Sequence, residues 1–235
     1  MRIEGDAAHH LARSLRVRPG ETIVVVEDGS VEHGVSIAEA GSEQITGRVL
    51  WSRPATGEPR LRVHVIQAIP AQAMDAAVEA LAAAGAATIS PVITERSVSR
   101  PDAGRGRKHQ RWTAIAREAA QLAGRAMPPT LEPVRPLDEA IAALPAPCPI
   151  LACVVGPEAL ALRSVPLNNM QQVALVIGPE GGLGDRDLAL LDEKRARRVH
   201  IGGRVMPARL AGAVALTVLL SAHGDLDTAT APAPA

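Results

Sequence analysis

The sequence predicts an α/β protein in which an antiparallel β-rich segment precedes a longer segment built around a mostly parallel sheet. Residues 1–57 contain short runs of β-branched residues punctuated by Gly and Asp, a pattern typical of antiparallel strands. From residue 60 onward, strand-like and helix-like stretches alternate, which favours a parallel sheet with helices on both faces. The polar stretch "RPATGEP" at residues 53–59 is rich in Pro and Gly and is the predicted linker.

The composition supports a folded core and constrains how the chain could bind a nucleic acid. Hydrophobic residues make up 47% of the 235 residues, and the core must be aliphatic because Phe and Tyr are absent and only two Trp occur. Binding of single-stranded RNA therefore cannot rely on stacking of bases on aromatic side chains. With 25 Lys and Arg against 25 Asp and Glu, any nucleic-acid binding must come from local basic patches.

Two cysteines and the terminal segments indicate a cytoplasmic location. Cys148 and Cys153 are too few for a disulfide scaffold or a zinc site, which favours a reducing compartment. No apolar run reaches the roughly 18 residues that a membrane-spanning helix needs, and the polar start "MRIEGDAAHH" is not a signal peptide. The low-complexity end of the chain, residues 226–235, is predicted to be disordered.

The individual elements follow from local patterns. In the first segment, "TIVVVEDG", "VEHGVSIAEAG" and "QITGRVLW" predict three strands of a small antiparallel barrel or sheet. In the second segment, the strands are predicted at residues 60–69, 87–94, 149–155, 173–179 and 197–202. The helices are predicted at residues 73–85, 107–125, 138–144, 187–196 and 207–224. The helix at 73–85 is rich in Ala and Leu, and Gly85 is its C-terminal stop.

The stretch "LVIGPEGGLGDRDLALL" at residues 175–191 joins a buried strand to a helix through a glycine-rich loop. Glycine permits positive φ and leaves backbone groups open to a ligand, and ligands of open α/β sheets bind beyond the carboxyl ends of strands. An ordinary tight connection explains the spacing equally well. The loop is neither G-x-G-x-x-G nor a P-loop, so a phosphate site is weakly supported. We expect Asp185 to be the helix N-cap, and Glu180 to be either an acid/base group or a cap for the amides of the loop.

Two basic runs are candidates for binding an RNA backbone. The first run contains His9, His10, Arg13, Arg16 and Arg18. The second run contains Arg96, Arg100, Arg105, Arg107, Lys108 and Arg111, and its glycines at 104 and 106 predict a mobile middle loop. For both runs, a merely solvated surface remains an open alternative. Four further histidines, His64, His109, His200 and His223, have no ligand spacing, so no metal is expected.

Three stretches together resemble the 16S ribosomal RNA uridine-N3 methyltransferases, a family of the SPOUT class that uses S-adenosyl-L-methionine. They are "GDAAHHLARSLRVRPGE", "ISPVITERSVSR" with "RWTAIAREAAQLAGRAMPP", and "IGPEGGLGDRDLALL" with "HIGGRVMPARLAGAVAL". The resemblance covers nearly the whole chain. It implies a PUA-like β-barrel at residues 1–57 that binds RNA, an α/β trefoil-knot methyltransferase domain at residues 60–225, and a homodimer.

The resemblance also implies a set of site residues. The methyl donor would lie in the knot against three loops, at residues 155–157, 178–183 and 201–206. The implied donor-binding residues are Val155, Gly156, Ile177, Gly178, Pro179, Glu180, Gly181, Gly182, Ile201, Gly202, Val205, Met206 and Ala211. The implied RNA-binding residues are His9, His10, Arg13, Arg16, Arg18, Arg96, Arg100 and Arg125, although a structural salt bridge is an alternative for Arg125. Arg204 and Arg209 are the candidate catalytic residues.

The chain departs from the family pattern at four places. In two helices, Ala80 and Ala83 replace a lysine and a glutamate of the family, and Leu122 replaces a glutamine. In the last loop, the second arginine, the glutamate and the threonine of the family are replaced by Pro207, Arg209 and Leu210. Only "MRIE" precedes the "GDAAHHL" stretch, where family members carry a strand, so we expect a barrel without its first strand or a truncated start.

The resemblance implies methylation of N3 of a uridine in 16S ribosomal RNA or the small subunit. The target base must be unpaired or flipped, because N3 lies on its Watson–Crick edge. Arg204 is expected to stabilise the uracil anion, and no metal or membrane is involved. A non-catalytic RNA-binding relative and a nucleotide-phosphate-binding enzyme are the alternative functions.

Overall fold

The structure, a computed structural model, describes residues 1–13, 15–98, 105–167 and 170–227. The chain divides into two compact units, one covering Met1–Gly57 and the other beginning at Glu58. The predicted RNA contact at Arg100 and most of the predicted disordered tail, residues 228–235, lie outside the described residues.

The N-terminal unit is a curled antiparallel sheet with one helix packed on it. Its elements are β1 (Arg2–Glu4), α1 (Gly5–Arg13), β2 (Thr22–Glu27), β3 (Val31–Ala40) and β4 (Gln44–Pro54). The strand order is β1-β4-β3-β2, and two register shifts between β3 and β4 mark bulges, which bend a sheet. Ala8 of α1 and Val35, Ile37 and Ile45 of the sheet form the small core.

The curled sheet is a half-barrel of PUA-like form. The described part of this unit contains four strands, in which β1 pairs with β4 alone and β2 pairs with β3 alone. The "MRIE" segment is itself the strand before α1, since Arg2–Glu4 pairs with β4 from Arg2 opposite Thr46. The expectation that this strand is missing is therefore wrong.

The second unit is a parallel sheet with helices on both faces, which confirms the predicted α/β class. Its strands are β5 (Arg62–Ala68), β6 (Thr88–Ile93), β7 (Thr130–Leu131), β8 (Arg135–Pro136), β9 (Ile150–Cys153), β10 (Leu160–Ala161), β11 (Gln172–Ile177) and β12 (Arg197–His200). Its helices are α2 (Met74–Ala83), α3 (Arg105–Leu122), α4 (Leu137–Ala142), α5 (Asp185–Glu193) and α6 (Ala208–Ala222). A 3-10 turn occupies Leu162–Ser164. The strand order is β10-β12-β9-β11-β5-β6-β7, with β8 also paired to β6.

The central strands are continuous apolar runs because both faces of this sheet are covered. On one face, alternate residues of β5 and β11 pack against α2, α3 and α6, with Val78, Trp112 and Leu216 among the buried side chains. On the other face, the intervening residues pack against α4 and α5, with Ile141 and Leu191 buried there. Helix α3 begins at Arg105, so Gly106 lies in the first turn of a helix and not in the predicted mobile loop, whereas Gly104 lies outside the described residues.

The topology brings five loops to one edge of the sheet. Strands β12, β9, β11, β5 and β6 are neighbours in this order and are all parallel. The loops that follow them therefore open at the same carboxyl edge, where open α/β sheets bind their ligands. The glycine-rich loop of residues 178–184 follows β11, and the "GGRVM" loop follows β12.

Candidate functional site

A cavity of about 350 Å³ lies at the carboxyl edge, between the loop after β9 and the loop after β12. Its volume falls within the range of roughly 300–1,000 Å³ that is usual for small-molecule sites. The residues that line it are Val155, Gly156, His200, Gly202, Gly203, Arg204 and Val205. Four of the predicted donor-binding residues, Val155, Gly156, Gly202 and Val205, are thus brought together with the predicted catalytic residue Arg204.

The wall of this cavity is largely bare backbone. A Cβ atom built at Gly156, Gly202 or Gly203 would meet no atom within 4 Å, so nothing in the fold shields the main chain of these residues. Gly202 has a φ of +120°, a conformation that is open to glycine but rarely to other residues. The main chain of these glycines is consequently accessible to a ligand.

His200 is a cavity residue that the sequence analysis placed only among the scattered histidines. It is the last residue of β12, and its Nδ1 accepts a hydrogen bond of 3.1 Å from the backbone N–H of Gly202. The bond folds the chain back at the start of the "GGRVM" loop. The signal that could have identified His200 is its position at the carboxyl end of a strand, two residues before the glycine pair at 202 and 203.

The loop after β11 is a tight turn that needs its glycines. A Cβ atom at Gly178 would lie 3.0 Å from the backbone nitrogen of Leu183, and Gly182 has a φ of +71°. The N–H of Gly182 donates to the carbonyl of Pro179 at 2.9 Å, which closes the turn. The side chain of Ile177, a predicted donor-binding residue, is instead buried in the core, so only its backbone is near the loop.

Two carboxylates fasten this loop to the loop after β6. Asp187 accepts the N–H of Gly184 at 2.9 Å, and both of its oxygens accept the N–H of Glu95 at 3.2 Å. In return, the Glu95 carboxylate accepts the N–H of Arg186 at 2.9 Å. The N-cap of α5 is Gly184, so the prediction of Asp185 as the N-cap is wrong. Asp187, three residues further along, satisfies the free N–H group of the cap instead.

Glu180 and Arg96 add two further contacts across these loops. The Glu180 carboxylate accepts the N–H of Ala71, in the loop after β5, at 3.1 Å. Its observed partner is therefore a neighbouring loop, and not the amides of its own loop. The Arg96 guanidinium donates to the carbonyl of Gly181 at 3.0 Å while remaining exposed. These bonds hold the loops after β5, β6 and β11 together as one surface.

The remaining candidates of the last loop lie at the start of α6. Pro207 precedes the helix with φ −54° and ψ 138°, which is a conformation that proline adopts without strain. Arg209 and Leu210 are exposed in the first turn, whereas Ile201 and Ala211 are partly buried and pack against the core. Met206 is partly buried just before the helix.

Arg125 has a structural role, and the prediction that it binds RNA is wrong. Its side chain is 3% exposed and pairs with Glu58 at 2.8 Å. The same guanidinium donates to the carbonyls of Ala82 and Ala86 at 2.7 and 2.9 Å. It thereby satisfies backbone groups at the C-terminal end of α2. The salt-bridge alternative that the sequence left open for Arg125 is the correct one.

The first basic run lies on the exposed surface of the N-terminal unit. His9 and Arg13 are exposed on α1, and His10 is partly buried on the same helix. Arg16 and Arg18 are exposed in the segment that follows. The second run is also exposed at Arg107, Lys108 and Arg111, and Arg111 forms an ion pair with Asp75 of α2. Both surfaces can contact phosphates, and neither contains a folded cavity that would identify a particular ligand.

Neither a metal centre nor a membrane helix is found within residues 1–13, 15–98, 105–167 and 170–227. No group of three or more His, Cys, Asp or Glu side chains in these ranges is arranged to hold a metal ion. No helix in them is long and apolar enough to cross a bilayer. Burial raises the pKa of Cys148 to about 11 and that of Cys153 to about 12, so neither thiol is an activated nucleophile.

Comparisons with known proteins match both units. Residues 57–220 match the model of an RNA methyltransferase domain, and residues 3–50 match that of an RNA methyltransferase PUA domain. The chain is 32% identical over 228 residues to the ribosomal RNA small subunit methyltransferase E of Mycobacterium bovis, covering 91% of this chain and 83% of the relative.

Two solved structures are similar over nearly the whole chain. A candidate methyltransferase from Legionella pneumophila, solved with bound S-adenosylmethionine, is 26% identical with a TM-score of 0.78 over 94% of this chain and 91% of its own. The small subunit methyltransferase E of Neisseria gonorrhoeae, also solved with S-adenosylmethionine, shares the fold at 23% identity and a TM-score of 0.81 with the same coverage.

Proposed function

The chain belongs to the RNA methyltransferase family, and on this basis we propose that it methylates N3 of a uridine in the 16S ribosomal RNA of the small subunit, with S-adenosyl-L-methionine as the methyl donor. The observation that carries the proposal is the glycine-walled cavity at the carboxyl edge of the sheet, which has Arg204 in its lining. The enzyme is accordingly an rRNA (uracil-N3-)-methyltransferase.

The residues of the cavity fit the methyl donor. The open backbone of the glycine loops offers polar groups other than the Gly202 amide to the edge of an adenine, and Val155 and Val205 offer apolar contact to its faces. The turn at residues 178–182 follows the neighbouring strand β11 at the same edge of the sheet. S-adenosyl-L-methionine, when bound, supplies an electrophilic methyl group on a sulfonium sulfur. A cavity without a phosphate-binding lysine suits this donor better than a nucleotide triphosphate.

The RNA is held by cations that surround the carboxyl edge and by the N-terminal unit. Arg96 is fixed beside the β11 loop through the carbonyl of Gly181 and keeps an exposed guanidinium. The exposed cations of the first basic run contact phosphates and position the strand without reading its sequence. The target uridine must leave any base pair before its N3 is accessible, because that atom lies on the Watson–Crick edge.

Arg204 stabilises the charge that develops on the target base. Methylation replaces the N3–H bond by an N3–CH3 bond. The N3 proton passes to water, which leaves negative charge on O2 and O4. The S–CH3 bond of the donor breaks as the methyl group moves to N3, and S-adenosylhomocysteine is released. A guanidinium placed beside these oxygens in advance lowers the barrier without reorganising during the reaction. Arg204 lines the cavity and is exposed, and Arg209 in the first turn of α6 is a second guanidinium near the same loop.

We further propose a homodimer, a trefoil knot and a cytoplasmic location. Val155 and Val205 are 83% and 78% exposed at the rim of the cavity, and Leu210 is 40% exposed beside them. A second copy of the chain would cover these apolar side chains. The knot is supported by the family resemblance and by the sheet order, in which β11 inserts between β9 and β5. The cytoplasm is where ribosomal subunits are assembled and where thiols stay reduced.

The experiment is transfer of labelled methyl groups to small ribosomal subunits that lack the modification, with large subunits as the control substrate. We expect label in 16S ribosomal RNA only. The replacements at Pro207, Arg209 and Leu210 favour, as a second function, an RNA-binding protein that has lost catalysis. Binding of small subunits together with no binding of S-adenosylmethionine and no methyl transfer would support that alternative.

A further inference from the structure

We propose that His200 binds the methyl donor, acting as a hydrogen-bond donor through Nε2 from the wall of the cavity. The inference rests on the proposed function, because it concerns the ligand of the same cavity. His200 lines the cavity together with Arg204 and the two glycine loops. It belongs to the end of β12, so the sheet holds its backbone in place.

The hydrogen bond from the Gly202 N–H selects one tautomer of the neutral His200 ring. A backbone N–H can only donate, so Nδ1 must accept with its lone pair and carries no proton in this arrangement. The neutral ring therefore carries its single proton on Nε2. In this state His200 is a hydrogen-bond donor at Nε2, and it cannot take up the N3 proton of the base at that atom.

The lining of the cavity determines what this donor can meet. Among the described lining residues, His200 and Arg204 have the polar side chains, and the other five are Gly or Val. Both polar side chains offer N–H groups, and the lining contains no carboxylate. These N–H groups complement the hydrogen-bond acceptors of the methyl donor, which are its carboxylate oxygens, its adenine ring nitrogens and its ribose oxygens. His200 thus supplies a side-chain contact in a cavity that otherwise offers mainly backbone.

Two substitutions separate the two nitrogen atoms of the ring. His200→Asn keeps an oxygen acceptor near the position of Nδ1 for Gly202 and removes the group at the position of Nε2. His200→Gln reaches the position of Nε2 with an amide N–H and removes the acceptor for Gly202. If only H200N loses affinity for the ligand, the distal N–H of His200 contacts the ligand. If only H200Q loses affinity, the His200 side chain acts through the structure of the loop alone.

The measurement is calorimetric titration of S-adenosylhomocysteine into the full chain and its variants. We expect the affinity of H200N to fall about tenfold, because a ligand acceptor loses its partner in the cavity, and that of H200Q to stay within about threefold of wild type. His223→Asn, at an exposed histidine after α6, is the matched control and should bind as wild type does. Wild-type affinity in H200N, or equal losses in H200N and H200Q, would overturn the inference.

A second pair of variants covers the case in which H200N does not fold. Both H200Q and H200L remove the acceptor for Gly202, and only H200Q keeps a distal N–H. Tighter binding by H200Q than by H200L supports the inference, and equal affinities overturn it. Failure of the wild-type chain itself to bind S-adenosylhomocysteine would overturn the proposed function and this inference together. Wild-type binding with no response to the His200 variants would overturn the inference alone.

Titration with 5′-methylthioadenosine identifies the group that His200 contacts. This compound keeps the adenosine of the donor and lacks the amino-acid part. If H200N loses affinity for S-adenosylhomocysteine but not for 5′-methylthioadenosine, the contact is to the carboxylate. A similar loss for both compounds assigns it to the adenosine. Either result supports His200 as a donor-binding residue.

Discussion

The carboxylates of Asp187, in the first turn of α5, and of Glu95, in the loop after β6, each accept a backbone N–H from the segment that carries the other. Both oxygens of the Asp187 carboxylate accept the N–H of Glu95 at 3.2 Å, and the Glu95 carboxylate accepts the N–H of Arg186, next to Asp187, at 2.9 Å. Asp187 is 7% exposed, so its bonds are sheltered from water. The pair fixes the loop that carries Arg96 against the helix that follows the glycine-rich turn.

Replacing Asp187 by Asn should loosen this surface. The amide can accept with one oxygen only, and its NH2 group would face backbone N–H donors. We expect a loss of about 1–2 kcal/mol in the free energy of unfolding and a fall in methyl transfer through a higher KM for RNA. Chemical denaturation and steady-state kinetics measure the two effects.

The control for Asp187 is Asp185→Asn, which removes the same charge from the same helical turn at an exposed position. Its effect on unfolding should stay within about 0.5 kcal/mol. If the two substitutions had equal effects, helix-dipole electrostatics would explain both, and the contact between the loops would be irrelevant.

Arg125 should matter for stability and not for RNA. Arg125→Met leaves the carbonyls of Ala82 and Ala86 without their donor and the Glu58 carboxylate without its partner. We expect a loss of about 3 kcal/mol in the free energy of unfolding, at the lower end for buried pairs because Glu58 is about one-third exposed. RNA affinity of the folded variant should be unchanged. Arg117→Ala, exposed on the preceding helix α3, is the control and should be neutral in both assays.

Arg209 lies at an electrostatically unfavourable place, which points to a functional reason for its charge. It is exposed in the first turn of α6, where the helix dipole disfavours a cation. Arg209→Glu should therefore raise the free energy of unfolding by about 0.3–1 kcal/mol while lowering methyl transfer. Arg209→Gln separates loss of the cation from gain of an anion. Unchanged or higher transfer by R209E would remove Arg209 from the catalytic candidates.

The buried histidine of β5 should make stability depend on pH. Burial lowers the pKa of His64, with the neighbouring Arg62 acting in the same direction and a hydrogen bond with Gln172 opposing it. Because the folded state resists protonation of His64, the unfolded chain binds this proton more readily once the pH falls below the ordinary histidine pKa of about 6.5. Stability is therefore fully present above that pH and is lost as the pH falls.

His64→Gln tests this assignment by unfolding at a series of pH values. The decline in the free energy of unfolding from neutral to mildly acidic pH should be smaller in the variant than in the wild type. His223→Gln, at an exposed position, should leave the decline unchanged. Parallel declines in wild type and H64Q would show that other groups cause the acid sensitivity.

Much of the second unit could be predicted from the sequence because its elements have strong local signals. The apolar run that became β11 and the Ala-rich stretch that became α2 lie within a few residues of their predicted bounds. The short strands β7, β8 and β10 were missed, since each pairs over two residues and owes its position to its neighbours. In the first unit, the three-residue β1 was missed for the same reason.

The site could be predicted only in part, because hydrogen bonds between distant loops leave no local pattern. The glycines at 156, 178 and 202 marked the loops correctly as turns at the ends of strands. The contact of Glu180 with Ala71, at a separation of 109 residues, and the burial of Arg125 against Glu58 depend on tertiary structure. His200 could not be assigned to the site by metal-ligand spacing, because a single histidine at a strand end has none.

Methylation at N3 of a uridine is tested most directly by identifying the modified nucleoside. Small subunits lacking the modification are incubated with the full chain and S-adenosylmethionine, and the 16S ribosomal RNA is digested to nucleosides for mass spectrometry. We expect 3-methyluridine in the digest after incubation with the wild-type chain, and much less of it with Arg204→Ala. A methyl group on another atom or another base would contradict the account, as would the absence of methylated product while the donor is bound.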